Sequence, residues 1–379
     1  MYKKLGKIDS GILLIVIFFA VISLLTINSA MTYIPASNGN LVLKQGLWYL
    51  IGMFIVLIIM HFNNEYLYRN AYIFYGILNA LLFLLLIFGE PVHGSKCWFQ
   101  IPYIGSFQPS EFMKIALMLV LSVMINNFKT TYNDPDIRAE AKFIFKTFLI
   151  VLLPSILTFL EPDTGSVIMY LVIYISMMFV GGIRIRWFLI LLAIILLILG
   201  TVLITYSFNS DLFMKIFGTK LFYRIERVMS WQSGESMQVK NALASIGSAG
   251  VFGHGYNNTP LYFPESATDF IFAVYASNFG LIGSIILIGL IIIFDLKLIK
   301  LIDKKIIMPD KYVLVGIISC LVFQQVENIG MTIGLLPVTG ITLPFISYGG
   351  SSLLSYMVML GIIFNISREN SSHKYKYKF

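Results

Sequence analysis

Charged side chains are scarce in this sequence. Only 12% of its 379 residues are Asp, Glu, Lys or Arg, whereas 58% are hydrophobic and the mean hydropathy is +0.84. A soluble domain carries roughly a quarter charged residues. The composition therefore excludes an ordinary soluble globular protein and predicts a polytopic membrane protein.

Cysteine and histidine are also rare, with two and four residues. Cys97 falls in a predicted loop and Cys320 in a predicted helix, so we expect free thiols and no disulfide framework. His93 and His254 lack metal-ligand spacing, so no protein metal site is predicted. No Walker lysine-serine follows the glycines of "GSAGVFGHG", which therefore resemble a phosphate-binding loop only loosely.

Long apolar runs are abundant, and a spanning helix needs about 20 mostly apolar residues. The runs predict an all-α membrane protein with about ten transmembrane helices, at roughly 11–31, 46–62, 71–89, 110–126, 144–160, 164–182, 187–206, 269–294, 312–334 and 348–366. Only "EPDT" separates the fifth run from the sixth, which predicts a tight hairpin at one membrane face. We expect the first run to be an uncleaved membrane helix, because no convincing cleavage site follows it.

The positions of lysine and arginine predict the orientation. Most of the 27 basic residues fall on one side if the N-terminus is cytoplasmic, which predicts that both termini are cytoplasmic. A large extracytoplasmic loop then covers about 207–268, between the seventh and eighth helices. We expect one transmembrane domain, 1–366, and a short basic cytoplasmic tail, 367–379. The basic excess is thus a topology signal, and nucleic acid is not an expected partner.

Ionisable residues at membrane depth are costly and suggest function. Glu111 and Lys114 are three residues apart near a helix start, so they share a face and can pair. Asp163 stands where a helix begins and can cap its free N–H groups. Glu327 lies among amide side chains in "QQVENIG", a polar patch that must face the bundle interior. Structural and functional interpretations of all of these residues remain open.

Asp269 is predicted to open the eighth helix at the outer mouth of the bundle. Small residues follow it, and the four-residue spacing of Ala276, Gly280 and Ser284 predicts close approach of another helix. Capping and catalysis are equally compatible with this aspartate. In the preceding loop, Arg224 and Arg227 could bind a lipid phosphate or pyrophosphate, or could simply be solvated.

Five stretches together resemble one family, in the same order along the chain. They are "SFQPSEFMKIA", "EPDTGS", "ALASIGSAGVFGHG", "PESATDFIFAV" and "NIGMTIGLLPVTGITLPFISYGGSSLL". These motifs are similar to those of the SEDS family, the shape, elongation, division and sporulation proteins FtsW, RodA and SpoVE. The resemblance covers residues 1–366.

The resemblance implies a peptidoglycan glycosyltransferase that polymerises lipid II at the outer face of the bacterial cytoplasmic membrane. Its implied partners are a class B penicillin-binding protein, lipid II, undecaprenyl-linked glycan and other cell-wall or division machinery. Asp269 corresponds to the proposed catalytic aspartate of the family, and Trp98 to its interfacial tryptophan. A carboxylate there can act as general base, and cations can stabilise the leaving pyrophosphate.

Further site residues follow from the same comparison and from the expected chemistry. No cofactor is evident, although a divalent cation at the pyrophosphate would suit the reaction. The candidates for substrate binding are Trp98, Glu111, Lys114, Arg224, Arg227 and Lys240, and Lys96 is one more available cation. The candidates for supporting polar residues are Asp163, Glu327 and Ser277.

One stretch departs from the family. Ser277 and Asn278 stand where the family usually has an acidic pair, eight residues beyond the aspartate and near its helix face. Glu327 from the ninth helix could substitute for the missing glutamate. Two alternatives remain open beside the enzyme. One is a lipid II flippase, which ten helices with interior polar residues would also suit. The other is a catalytically weak scaffold for a class B penicillin-binding protein, which the missing glutamate leaves open.

Overall fold

The computed structural model of the chain describes residues 8–33, 40–89, 96–101, 105–208, 213–215, 218–219, 222, 237–302 and 308–368. In this part of the chain helices dominate. In chain order, the helices of at least two turns are α1 (Ser10–Ala30), α2 (Leu41–Arg69), α3 (Ala71–Phe88), α4 (Pro109–Thr131), α5 (Ile137–Leu160), α6 (Thr164–Val180), α7 (Ile185–Phe208), α8 (Met237–Ser248), α9 (Ile271–Ile302), α10 (Met308–Thr332) and α11 (Gly350–Arg368).

The predicted spans are confirmed as helices. Within the described ranges, nine helices are long and apolar enough to cross a membrane, and α6 is a shorter apolar helix of 17 residues. The chain is thus a multi-pass membrane protein. The second span is longer than predicted, but α2 leaves helical geometry at Asn63 (φ 62°, ψ 163°), directly after the predicted end. The last span continues to Arg368, two residues into the predicted tail, and 369–379 lie outside the described residues.

Two loops contain regular structure that hydropathy did not predict. The segment before α4 forms an antiparallel hairpin of β1 (Phe99–Ile101) and β2 (Gly105–Phe107), with Phe99 opposite Phe107. Apart from this short hairpin, the described part of the chain is helical or irregular, so the predicted all-α class is confirmed. The long loop after α7 contains α8, whose Val239, Ala242 and Ser245 are buried against the protein.

Three helices form the centre of the bundle. Most residues in the apolar windows of α4, α10 and α11 are buried. The central helix α4 packs against α3, α6 and α10, while α2 lies along α11. By contrast, none of the described residues in the apolar window of α7 is buried. Because lipid tails are as apolar as leucine, such a helix gains little from packing and can stand at the periphery.

The start of α9 corrects the prediction for Asp269. The helix begins at Ile271, so Asp269 lies in the preceding turn, where the N–H of Phe270 donates to the carbonyl of Glu265 at 3.0 Å. The helix is also broken at Gly280. Because the helix begins only at Ile271, residues 269 and 277 do not share one continuous helix, and the argument from their common helix face is wrong.

Candidate functional site

A connecting segment between α10 and α11, residues 339–349, lies inside the bundle; we call it the hub. From α1, the Ser23 hydroxyl donates to the carbonyl of Ile346 at 2.7 Å. From α2, the Gln45 amide donates to the carbonyl of Ser347 at 3.1 Å and accepts from the N–H of Gly349 at 3.3 Å. Buried backbone groups of a non-helical segment need such partners, so two helices fix the hub.

The turn that carries Asp269 is docked on the hub. The Ser347 hydroxyl donates to the carbonyl of Thr268 at 2.6 Å, and the N–H of Tyr348 donates to the carbonyl of Ala267 at 2.9 Å. The amide of Asn328 in α10 donates to the carbonyl of Asp269 at 2.7 Å. The backbone on either side of the Asp269 side chain is thus held by three hydrogen bonds.

Unlike its backbone, the carboxylate of Asp269 is not held by hydrogen bonds from the described residues. The residue is half-buried, and no described side chain or N–H group donates a hydrogen bond to the carboxylate. Its Oδ2 atom lies 3.5 Å from the position that a Cβ atom would take on Gly340 of the hub. Burial, and secondly the nearby Glu265 carboxylate, raise the pKa of Asp269 to about 7. A general base works best with a pKa near the operating pH.

The predicted pairing of Glu111 and Lys114 is confirmed. Lys114 Nζ lies 2.7 Å from Glu111 Oε2, and both residues are buried in α4. The Ser355 hydroxyl donates to the same carboxylate oxygen at 3.1 Å, and Nζ lies 5.8 Å from the ring centroid of Tyr356. The positive charge of Lys114 is therefore matched within the protein.

Tyr356 connects this ion pair to the hub. Its hydroxyl accepts a hydrogen bond from the Gln324 amide at 3.0 Å and lies 3.0 Å from the Thr342 hydroxyl. Thr342 is two residues beyond Gly340, the glycine next to the Asp269 carboxylate. The ion pair is therefore connected to the hub through Tyr356, whereas Asp269 lies next to the hub directly.

Asp163 caps α6, as one interpretation of the sequence predicted. Its Oδ1 accepts from the N–H of Ser166 at 2.9 Å. Its Oδ2 accepts from the amide of Gln108 at 3.0 Å and from the hydroxyls of Ser110 at 3.1 Å and Ser166 at 2.7 Å. Four donors thus satisfy the carboxylate, as a buried or half-buried acid requires.

Gln108 brings three of the motifs together. Its side-chain oxygen accepts from the indole N–H of Trp98 at 3.1 Å, and its backbone N–H donates to the Ser351 hydroxyl at 2.9 Å. Since its amide also donates to Asp163, the "FQPSE", "EPDTG" and "YGGSS" stretches meet at one residue. Trp98 is therefore part of this polar network.

The patch around Glu327 faces the interior, as predicted. Gln324, Gln325, Glu327 and Asn328 are all buried. The Thr339 hydroxyl, in the hub, donates to Glu327 Oε1 at 2.8 Å. Thr339 immediately precedes Gly340, so Glu327 and Asp269 contact neighbouring residues of the hub.

The pair that replaces the expected acids is buried. Among the described residues, the hydroxyl of Ser277 has no hydrogen-bond partner. The amide of Asn278 donates to the Ser29 hydroxyl of α1, and its oxygen accepts from the Thr259 hydroxyl at 3.1 Å. Asn278 thus joins α1 to the segment before α9.

Glu161 is a site residue that the sequence reasoning missed. It lies in the turn between α5 and α6, is fully buried, and its carboxyl oxygens have no partner in the described part of the chain. Burial, and then the charge of Asp163, raise the pKa of Glu161 to about 8. The available signal was an acid in a three-residue connection between two apolar helices, which is too short to carry every side chain to solvent.

The remaining candidate cations are exposed, half-buried or outside the described residues. Arg224 and Arg227 lie outside the described residues. Lys240 is exposed on α8, and Lys96 is half-buried before β1. Of the candidate cations that are described, only Lys114 is buried, and it is already paired with Glu111.

Comparison with known proteins gives consistent matches along the whole chain. The sequence model named FTSW_RODA_SPOVE, described as "Cell cycle protein", matches residues 9–372. A Buchnera aphidicola subsp. Baizongia pistaciae protein named "Probable peptidoglycan glycosyltransferase FtsW" is 33% identical over 351 residues, which are 88% of this chain and 86% of its own length. A Helicobacter pylori protein named "Peptidoglycan glycosyltransferase MrdB" is 30% identical over 358 residues, 92% of this chain and 88% of its own.

A solved structure shares the fold. This structure is described as "Structural coordination of polymerization and crosslinking by a peptidoglycan synthase complex". One chain of it superposes with a TM-score of 0.78 at 25% sequence identity and covers 97% of this chain and 99% of that chain. The similarity therefore extends over the complete bundle.

Proposed function

This chain belongs to the FtsW/RodA/SpoVE family, the SEDS proteins, and from that premise we propose that it is a peptidoglycan glycosyltransferase that polymerises lipid II into glycan strands. The observation that carries the proposal is the carboxylate of Asp269. It is half-buried beside the hub, its backbone is fixed, and no described group donates to it. A carboxylate with these properties is available to accept a proton from a substrate.

In the proposed reaction, a sugar hydroxyl attacks the anomeric carbon that bears the lipid pyrophosphate. The new glycosidic C–O bond forms as the C–O bond to the pyrophosphate breaks, and Asp269 accepts the hydroxyl proton. General base catalysis of this kind contributes roughly 10²–10⁴-fold. The leaving pyrophosphate needs positive charge, for which we propose Arg224, Arg227 and Lys240. Lys114 with Glu111, and Trp98, would line the substrate site.

We assign no cofactor. A divalent cation at the pyrophosphate remains a prediction, tested by chelation and by re-addition of magnesium. Among the described residues, no three His, Cys, Asp or Glu side chains come together as ligands. Such a cation would therefore rely on the oxygens of the pyrophosphate and, at most, on one or two carboxylates, as magnesium sites often do.

We further propose that Asp163 and Glu327 support the site without reacting. The capping bonds of Asp163 orient the network around Gln108 and Trp98. Glu327 would take the place of the family glutamate, through the hub residue that precedes Gly340. A Glu327→Gln variant with full polymerase activity would refute that substitution. Ser277 is buried, and we propose no direct role for its side chain in the reaction.

The place of the reaction and its partner belong to the same proposal. The lysine and arginine bias supports cytoplasmic termini, so the Asp269 end of the bundle would face outward. The similarity to bacterial peptidoglycan glycosyltransferases supports the bacterial cytoplasmic membrane as the location. The fold is shared with a chain of a peptidoglycan synthase complex that couples polymerization to crosslinking. We therefore propose a class B penicillin-binding protein as the partner that supplies the transpeptidase.

The test is polymerisation of lipid II by the purified protein together with its cognate partner, followed by gel analysis of the glycan. We expect polymer from the parent and at least about 100-fold less from Asp269→Asn. The control is Asp134→Asn, which removes a carboxylate whose side chain is 95% exposed. Equal polymer from Asp269→Asn would exclude the role of general base.

The same preparation separates the alternatives. Absence of polymer together with lipid II crossing liposome bilayers would favour the flippase. Absence of both activities with intact partner binding would favour the scaffold.

A further inference from the structure

The break in α9 has an unusual hydrogen-bonding pattern. Gly280 takes φ 63° and ψ −158° within an otherwise helical stretch. In a regular helix the N–H groups of Leu281 and Ile282 would donate to carbonyls four residues earlier. Instead, they donate to the carbonyls of Gly250 at 3.1 Å and Val251 at 3.2 Å. These two acceptors belong to the segment Ala249–Gly255, which we call the glycine loop.

The glycine loop also donates hydrogen bonds to the residues that precede the break. The carbonyl of Ser277 accepts from the N–H of His254 at 2.9 Å, and the carbonyl of Asn278 accepts from the N–H of Gly255 at 3.1 Å. Two helical hydrogen bonds are thus replaced by four bonds to the loop. Unpaired backbone groups in an apolar environment are costly, so the loop makes an open helix tolerable at this position.

Only glycine fits where the two segments meet. A Cβ atom on Gly253 would lie 2.2 Å from the carbonyl oxygen of Asn278, and one on Gly280 would lie 2.3 Å from the backbone nitrogen of Gly253. Both residues also have positive φ, 82° and 63°, where other residues are strained. Because the crowding atoms are backbone, a side chain cannot be accommodated by a rotamer change. At Gly280, the middle one of the three small residues, the close contact is therefore with this loop.

The break separates two parts of α9 with different surroundings. Residues 271–278 are all buried, whereas beyond Gly280 the side chains of Leu281, Ile282 and Ile285 are exposed on one face. The first part is held at one end by the hub, through the backbone of Asp269 and its neighbours, and at the other end by the glycine loop. Its direction is thus set by these two attachments and is independent of the spanning part.

We propose that the glycine loop is a positioning device for Asp269. By opening α9 at Gly280, it orients the buried segment 271–279, whose preceding turn presents the carboxylate beside Gly340. This proposal rests on the proposed polymerase function for its kinetic consequences only. A displacement of about 1 Å at a reacting group can cost on the order of 100-fold in rate.

The kinetic test uses Gly253→Ala and Gly280→Ala. We expect kcat for lipid II polymerisation to fall about 100-fold, with KM changed by no more than about threefold, because orientation of the base affects the chemical step. The matched controls are Gly247→Ala in α8 and Gly289→Ala in α9, where an added Cβ meets nothing within 4 Å. Full activity of Gly280→Ala would overturn the proposal, as would a loss equal to that of Gly289→Ala.

A second measurement is independent of activity. Asp269→Cys places a thiol at the position of the carboxylate, and the native Cys97 and Cys320 are both buried. We expect the rate of labelling by a water-soluble maleimide to change about tenfold when Gly280→Ala is added, because a displaced segment alters local access. Addition of Gly289→Ala should leave the rate unchanged. An unchanged rate with Gly280→Ala would overturn the proposal even if the parent makes no polymer, whereas inactivity of the parent alone would count only against the polymerase function.

If either alanine variant fails to fold, Gly255→Ala replaces it. Its φ is 93°, but its Cβ would lie 3.4 Å from a side-chain nitrogen, Nδ2 of Asn258, so the strain is milder. Hydrogen exchange at Leu281 and Ile282 then reports whether the loop has loosened. Faster exchange together with altered labelling supports the positioning role. Faster exchange with unaltered labelling of Asp269→Cys would overturn it.

Discussion

Replacement of Asp269 by asparagine should make the folded protein more stable at alkaline pH. Burial raises the pKa of Asp269 to about 7, from an ordinary value of 3.8. The folded state therefore binds this proton more tightly than the unfolded state does. The favourable contribution is present in full below pH 3.8 and is lost as the pH rises towards 7, where the ionised carboxylate becomes a cost. Asparagine has nearly the same shape and no such cost.

The magnitude follows from the difference between the two pKa values. About three pH units, at about 1.4 kcal/mol each, give an upper limit of about 4 kcal/mol above pH 7. Because Asp269 is only half-buried, solvent screening reduces this value, and we expect about 2 kcal/mol at pH 8. The expected gain falls to about 1 kcal/mol at pH 5 and vanishes near pH 4.

The assay is thermal unfolding in nanodiscs at pH 5 and pH 8, with tryptophan fluorescence as the signal that reports unfolding. Asp134→Asn, which alters a largely exposed carboxylate, should show no comparable gain. The reasoning would be refuted if Asp269→Asn were no more stable than the parent at pH 8, or if its advantage were independent of pH. A gain that accompanies loss of polymer would mean that the fold bears a cost for keeping this carboxylate.

Three further predictions concern the same end of the bundle. Because burial raises the pKa of Glu161 to about 8, Glu161→Gln should stabilise the protein above pH 8 and have little effect below pH 4.5; equal effects at both pH values would contradict this. Lys114→Met should cost about 3–5 kcal/mol by leaving Glu111 unpaired, and adding Glu111→Leu should recover most of that loss in thermal unfolding. The polymerisation rate should rise with pH and reach half its maximum near pH 7, the pKa of Asp269; a flat profile from pH 6 to 8 would exclude Asp269 as the base.

Features that depend on neighbouring residues could be predicted from the sequence. The ten spans are helices because hydrophobic length is a local property. The pairing of Glu111 with Lys114 follows from three-residue spacing on one helix, and the ion pair is observed at 2.7 Å. Asp163 caps α6 because a helix start with free N–H groups favours an aspartate there.

The errors near Asp269 have a common cause. Periodicity extended the eighth helix back to Asp269 and continued it through Gly280, because nothing in the local pattern marks either position as non-helical. The turn before Ile271 is fixed by hydrogen bonds from the hub, nearly 80 residues later in the sequence. The break at Gly280 is fixed by the glycine loop, which precedes it by about 25 residues. Partners at such separations override helix propensity.

The sequence by itself determined that this is a multi-pass membrane protein of one family, with an aspartate at the head of the eighth span. Hydropathy, charge distribution and ordered motifs carry that information. Only the tertiary structure decided what surrounds the aspartate: a hub that binds its backbone, a glycine next to its carboxylate, a loop that opens its helix, and a buried Glu161 two residues from Asp163. Burial and hydrogen-bond partners arise from packing between distant segments, and these decide which carboxylate is satisfied and which remains available for chemistry.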